Sequence, residues 1–268
     1  MQGRVLAIAG SDPGGGAGIQ ADIKTVTALG GYAAAAITAL TAQNTLGIYG
    51  IVSVDPSFIA SQVEVVIDDI GVDCIKTGML HTREAIDAVC DVLEARAAHV
   101  PLVVDPIMVA KDETVLLDTK ATARLKQRLL SLATVLTPNV PEAEALTATS
   151  IQGPDQMVEA ASLLLASGLK AVLIKGGHLP GERIYDVLVS SEGPEVFESP
   201  RLYTRHTHGT GCTLASAIAT GIAQGMEIRA AIERARRYVF EAIRCAPALG
   251  RGHGPLNHIP WMEKAEIA

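Results

Sequence analysis

Short apolar runs alternate along this chain with longer stretches in which apolar residues return every three or four positions. The runs at 5–9, 74–77, 102–105, 134–137 and 171–175 read as buried strands. The stretches at 19–29, 56–68, 83–97, 120–130, 156–166, 210–224 and 228–246 read as amphipathic helices. This alternation predicts βαβ units and a mainly parallel sheet with helices on both faces. Two regions break the rhythm. Residues 32–54 mix Thr, Gln, Asn and Tyr with Ala and Ile, which predicts extra strands flanking a site. Residues 186–203 alternate around Ser191-Glu192-Gly193-Pro194, which predicts a hairpin and an antiparallel sheet edge. No repeat, low-complexity linker or shift in composition interrupts residues 1–268, so one α/β domain is expected.

Composition narrows the function. Aromatics are only 3%, so the core is aliphatic and little is left for stacking nucleic-acid bases. The net charge of −7 repels phosphate backbones, which excludes a general nucleic-acid binder and leaves any anionic ligand to a local positive site. The four cysteines, Cys74, Cys90, Cys212 and Cys245, form no CxxC pair. They suggest neither zinc nor a disulfide framework, and point to a reducing, cytoplasmic setting. The apolar run after Met1 is too short for a secretion signal, and no stretch reaches transmembrane length, so no membrane partner is expected.

Polar and glycine residues gather at the predicted carboxyl ends of the strands, where open parallel sheets bind ligands. The first strand runs into Gly10-Ser11-Asp12-Pro13-Gly14-Gly15-Gly16-Ala17-Gly18. Others end at Asp105-Pro106, at Thr137-Pro138-Asn139-Val140-Pro141-Glu142 and at Lys175-Gly176-Gly177-His178. The first loop lacks the closing Gly-Lys-Ser/Thr of a P-loop, and Ile19 stands where GxGxxG needs its third glycine. It is either a plain strand-to-helix turn or a loop whose backbone approaches a small molecule closely. Asn139 with Glu142 fits a helix start as well as a ligand site. Gly209-Thr210-Gly211-Cys212 opens a helix, which presents backbone N–H groups and a positive dipole end to a phosphate. Cys212 falls in the first turn, where a thiol pKa is expected to drop. Taken alone, it is equally a small buried cysteine beside a tight turn. His206, His208, His253 and His258 are assigned no chemistry.

The loop at 10–22 and the segment Thr207-His208-Gly209-Thr210-Gly211-Cys212-Thr213 closely resemble those of hydroxymethylpyrimidine and phosphomethylpyrimidine kinases, in the ribokinase-like superfamily. The resemblance extends through the segment 38–45, Lys76-Thr77-Gly78-Met79-Leu80, Val104-Asp105-Pro106, Thr137-Pro138-Asn139 with Glu142, and Lys175-Gly176-Gly177-His178. It implies a three-layer α/β/α sandwich with small lid strands, and two successive ATP-dependent phosphorylations. These convert 4-amino-5-hydroxymethyl-2-methylpyrimidine to its monophosphate and then to the diphosphate used for thiamine synthesis. By the same resemblance Gln43 recognises the pyrimidine edge, Met79 packs near the ring, and Gly10 and Asp22 belong to the substrate site. Lys175, Asn139, Thr207 and Asp105 belong to the nucleotide site, and Glu142 organises Mg²⁺. Gly209, Thr210 and Gly211 form the anion hole. Cys212 stands where sugar-kinase relatives carry a catalytic aspartate, and would act as base. Relatives commonly form homodimers through the lid strands.

Two other readings compete. Some cysteine-bearing relatives are pyridoxal kinases with a second lid cysteine; here the matching stretch is Met108-Val109-Ala110-Lys111, with Ala110 at that place. A non-catalytic pyrimidine-binding protein would be expected to have lost Lys175, Glu142 or the loop at 209–212, and all are present.

Overall fold

A computed structural model describes residues 2–109, 116–117 and 119–260. Nine strands form one sheet in the order β3-β2-β1-β4-β5-β6-β7-β8-β9. The parallel centre comprises β1 (Arg4–Ser11), β2 (Tyr32–Asn44), β4 (Cys74–Thr77), β5 (Leu102–Val104), β6 (Val135–Leu136) and β7 (Ala171–Ile174). Three antiparallel strands close the edges: β3 (Gly47–Ser53) on one side, β8 (Arg183–Ser190) and β9 (Gly193–Pro200) on the other. The hairpin expected around 191–194 is β8–β9, and the irregular region 32–54 supplies β2 and β3.

Side chains alternate along the central strands and divide the core in two. Leu6, Ile8, Val172 and Ile174 pack under α2 (Pro56–Asp69), α3 (Arg83–Arg96), α6 (Val140–Thr147) and α7 (Pro154–Leu165). Val5, Cys74, Ala171 and Leu173 face the layer of α1 (Gly18–Ala28), α8 (Thr210–Ala223) and α9 (Ile228–Arg244). The three-layer sandwich implied by the sequence is therefore present.

The differences are local. Helix α6 shows no long apolar period, and forms because Asn139 caps it reciprocally with Glu142 and proline occupies its first turn. Within the stretch expected at 120–130, α4 (Thr119–Arg124) passes through a π turn, Leu125–Leu129, into α5 (Leu130–Leu132). β6 is only two residues long because its chain turns at Thr137 into the site. Among the described residues no helix is long and apolar enough to cross a membrane.

Candidate active site

The carboxyl ends of β1, β4, β5, β6 and β7 and the start of α8 open onto one cleft of ≈ 1550 Å³. Pockets for a single drug-sized ligand run to about 1,000 Å³, so there is room for two ligands side by side. Gly10, Gln43, Met79, Asp105, Asn139, Glu142, Lys175, Thr207, Gly209, Thr210, Gly211 and Cys212 all line it. Asp22, expected in the substrate site, does not.

Helix α8 begins without a side-chain cap, and its N-cap Gly209 has φ +84°. That left-handed turn favours glycine. Space demands glycine as well, because a Cβ at Gly209 would lie 1.7 Å from the Gly16 carbonyl oxygen. The two glycine loops therefore touch backbone to backbone. Thr210 Oγ1 donates to the Thr207 carbonyl at 2.7 Å and fixes the turn from outside. Among the described residues no side chain caps the first-turn N–H groups of α8, which lie beside a helix dipole that favours an anion.

Charged groups stand around this helix start. Lys175 Nζ donates to Asp105 Oδ1 at 2.8 Å and lies 4.0 Å from Glu142 Oε2. A Cβ on Gly211 would sit 3.3 Å from both Asp105 Oδ2 and Lys175 Nζ, so this cluster lies directly against the loop at 209–212. Burial works against the Lys175 charge, but Asp105 and Glu142 hold its pKa above the ordinary lysine value. Burial pushes Glu142 up to about 7, against the pull of Lys175 and of the Asn139 and Met108 backbone N–H groups. Asn139 Oδ1 accepts from the Glu142 N–H at 2.9 Å, and Glu142 Oε2 from the Asn139 N–H at 2.7 Å. The helix-start reading of this pair is thus present, and it also fixes the Glu142 carboxylate at the cleft wall.

Cys212 departs from expectation. Its thiol is buried, and burial pushes it up to about 12. Lys76 and the Gly18 backbone N–H pull the other way, while Asp22 and Asp105 add to the rise. The helix terminus does not lower this pKa below the ordinary thiol value, because loss of hydration outweighs a partial charge. At neutral pH the resting thiol holds its proton.

The first glycine loop is organised from within. Asp12 accepts from the N–H groups of Gly14 at 2.8 Å, Gly16 at 3.1 Å and Ala17 at 2.9 Å. Burial opposes its charge, yet His208 and these N–H groups hold its pKa below the usual carboxylate range. Those amides are consumed by Asp12 and are not offered to a ligand. His208 Nε2 lies 2.8 Å from Asp12 Oδ2 and 3.4 Å from Gln43 Nε2. His208 therefore lines the cleft and ties the two loops together, a role the sequence reading did not assign. His258 is different: buried against Thr213 Oγ1 at 3.1 Å and lowered to about 4 by burial, it stays neutral and structural. Gln43 Oε1 accepts from Thr41 Oγ1 at 3.2 Å. The Met79 methyl group lies 2.4 Å from where a Gly10 Cβ would stand, so glycine there makes room for the Met79 side chain at the cleft.

Asp22 lies beneath the cleft. Both its oxygens accept from Lys76 Nζ, at 2.9 and 3.0 Å, and Oδ1 also accepts from Ser216 Oγ at 2.7 Å. Its α1 position turns it inward to neutralise a lysine buried on β4, so it has no free face for substrate.

A parallel sheet whose strand ends bring a lysine and two carboxylates against a glycine-led helix start defines a phosphotransferase. Residues 12–257 match the family described as phosphomethylpyrimidine kinase. The chain belongs to that family and is a kinase. A bifunctional thiamine biosynthesis protein of Geobacter sulfurreducens is 53% identical across 96% of this chain, which spans 52% of that longer protein. A hydroxymethylpyrimidine/phosphomethylpyrimidine kinase of Streptomyces coelicolor is 44% identical, covering 95% of this chain and 93% of its own. Among solved structures, a Staphylococcus aureus pyridoxal kinase in complex with ADP superposes with TM-score 0.90 at 34% identity, covering 97% of this chain and 95% of that one. The ribokinase-like fold is shared by both activities, so the choice between them rests on the site. The lid position Ala110 lies outside the described residues.

Proposed function

We propose that this kinase uses ATP to phosphorylate 4-amino-5-hydroxymethyl-2-methylpyrimidine, and then its monophosphate, in thiamine biosynthesis. One observation carries the reading: a single cleft is lined both by Gln43 and Met79 and by the helix start at 209–212, Lys175 and Glu142. A side-chain amide both donates and accepts, which matches an aminopyrimidine edge. The ADP held by the pyridoxal kinase of the same fold supports nucleotide binding by this chain. The kinase unit is read as one domain over residues 1–268.

Each residue then has a task. The N–H groups at 209–212 meet the transferring phosphoryl oxygens, and Lys175 offsets the nucleotide charge. In the first reaction the acceptor oxygen bonds to the terminal phosphorus, the bond to the ADP oxygen breaks, and Cys212 in its thiolate form takes the hydroxyl proton. In the second, the acceptor is already a phosphate oxygen. Mg²⁺ fits this donor set. Glu142 is a buried carboxylate at the cleft wall whose charge a cation would relieve, and hard oxygen ligands suit magnesium. No group of three or more His, Cys, Asp or Glu among the described residues forms a cage. Glu142 would therefore hold the ion together with water and phosphates, and the ion would neutralise phosphate charge. Leu40, Leu46, Tyr49 and Val52 stand exposed on β2, β3 and their turn, which supports a homodimer through these strands.

ADP release tests the substrate: wild-type protein should release ADP with the hydroxymethylpyrimidine far faster than with pyridoxal or with neither. Faster release with pyridoxal would replace the reading by its rival. Gln43→Ala leaves a ring edge unpaired at a cost of about 1–3 kcal/mol, so calorimetry should show pyrimidine binding weakened about tenfold or more. Unchanged affinity would remove Gln43 from the assignment. Glu142→Gln should raise the magnesium needed for half-maximal rate, and Lys175→Ala should chiefly raise the KM for ATP. Wild-type ATP kinetics in both variants across a magnesium titration would displace the nucleotide site.

A further inference from the structure

Helices α1 and α8 are joined by a side-chain hydrogen bond. Asp22 Oδ1 accepts from Ser216 Oγ at 2.7 Å. Cys212 and Ser216 are four residues apart on α8, one helical turn on one face. The Asp22–Lys76 ion pair therefore sits one turn, about 5 Å, below the thiol. Both side chains are fully buried, with no solvent to screen them. A Cβ on Gly78 would lie 2.9 Å from Lys76 Nζ, so the strand end also confines the ammonium.

We propose that Lys76 is a positioning residue for Cys212: its fixed charge governs how readily the thiol yields its proton, and Asp22 governs how much of that charge reaches the sulfur. An ion pair of this kind gains little stability over a packed apolar pair, which leaves its place beside Cys212 to be explained. Four charged groups act on the thiol: Lys76 from β4, Asp22 from α1, Asp105 after β5 and Lys175 after β7. Lys175 and Asp105 are engaged with each other at 2.8 Å, and the Lys76–Asp22 pair supplies the remaining balance. The consequence for catalysis rests on the reading of Cys212 as first-step base, whereas the charge relation belongs to the protein alone.

The experiment is alkylation of Cys212 by iodoacetamide at several pH values, with the Cys212 peptide quantified by mass spectrometry and Cys245 followed in the same digests as an internal reference. Asp22→Asn uncovers the Lys76 charge and should speed alkylation of Cys212 about tenfold or more, with the profile moved to lower pH. Lys76→Met should slow it by a similar factor. Opposite signs are the signature, because a pair that only holds the helices together would expose the thiol and speed alkylation in both variants. Equal signs, or rates equal to wild type, overturn the proposal. If a buried unpaired charge prevents a single variant from folding, Asp22→Asn/Lys76→Met decides. It loses both charges, and Lys76 acts more strongly on the thiol than Asp22 does. It should alkylate more slowly than wild type, and a rate at or above wild type overturns the proposal. Failure of wild-type protein to phosphorylate the pyrimidine would refute the functional reading and leave this result standing.

Discussion

Gly209→Ala should abolish both phosphorylations. The residue sits at φ +84°, where a side chain is strained. The larger obstacle is contact: the new methyl carbon would stand 1.7 Å from the Gly16 carbonyl oxygen and 3.3 Å from the Ala17 Cα. Neither neighbour can yield freely, because the N–H groups of Gly16 and Ala17 are already held by Asp12. The start of α8 must therefore shift away from the first glycine loop. A displacement of about 1 Å at a reacting centre costs about a hundredfold, and losing one oxyanion donor costs about 10²–10³-fold. Single-turnover rates should drop at least a hundredfold on both substrates, while pyrimidine binding at Gln43 persists. Retention of more than about a tenth of either rate would mean that the amides at 209–212 do not meet the phosphoryl group.

Cys212→Ala should separate the two reactions. The first acceptor is a neutral alcohol, and general-base catalysis contributes about 10²–10⁴-fold, so that step should slow by this factor. The second acceptor is ionised near neutral pH and should lose no more than a few-fold. The pH dependence follows from the thiol. With a folded pKa of about 12, the thiolate is a small fraction at neutral pH, and that fraction grows tenfold per unit as pH rises. Wild-type first-step rates should therefore climb with a slope near one in log rate against pH, from about pH 6.5 to about 8.5, and the second step should stay nearly flat. Equal losses on both substrates in Cys212→Ala, with a flat first-step profile, would reduce the side chain to a wall of the anion hole.

The parts legible in the sequence are those written in local pattern. Alternating apolar runs gave the parallel strands, and residues at strand ends became cleft residues because open sheets expose that edge. Gly209 and Gly211 were legible because glycine before a helix has few other uses. What could not be read depends on partners far apart in the chain. Lys76 meets Asp22 across 54 positions, and His208 meets Asp12 across 196. No periodicity carries either contact. Asp22 was expected close to the substrate because its segment resembles that of the kinase family, but on α1 it faces inward to a buried lysine. Cys212 was expected to be acidified by its helix start, a local cue, while its pKa is decided by burial among elements packed over it. A signal for His208 did exist: it directly precedes the glycine-led turn, and its side chain must lie near whatever that turn approaches.

The central claim is that one cleft with one anion hole carries an aminopyrimidine through two phosphorylations. Phosphorus NMR of wild-type protein with ATP, magnesium and the hydroxymethylpyrimidine follows this directly. The account predicts that a monophosphate ester signal rises first and then gives way to the paired signals of a diphosphate ester, with ADP accumulating at two equivalents per pyrimidine. A monophosphate that persists at one equivalent of ADP, or no phosphorylated pyrimidine while pyridoxal is consumed under the same conditions, would contradict it.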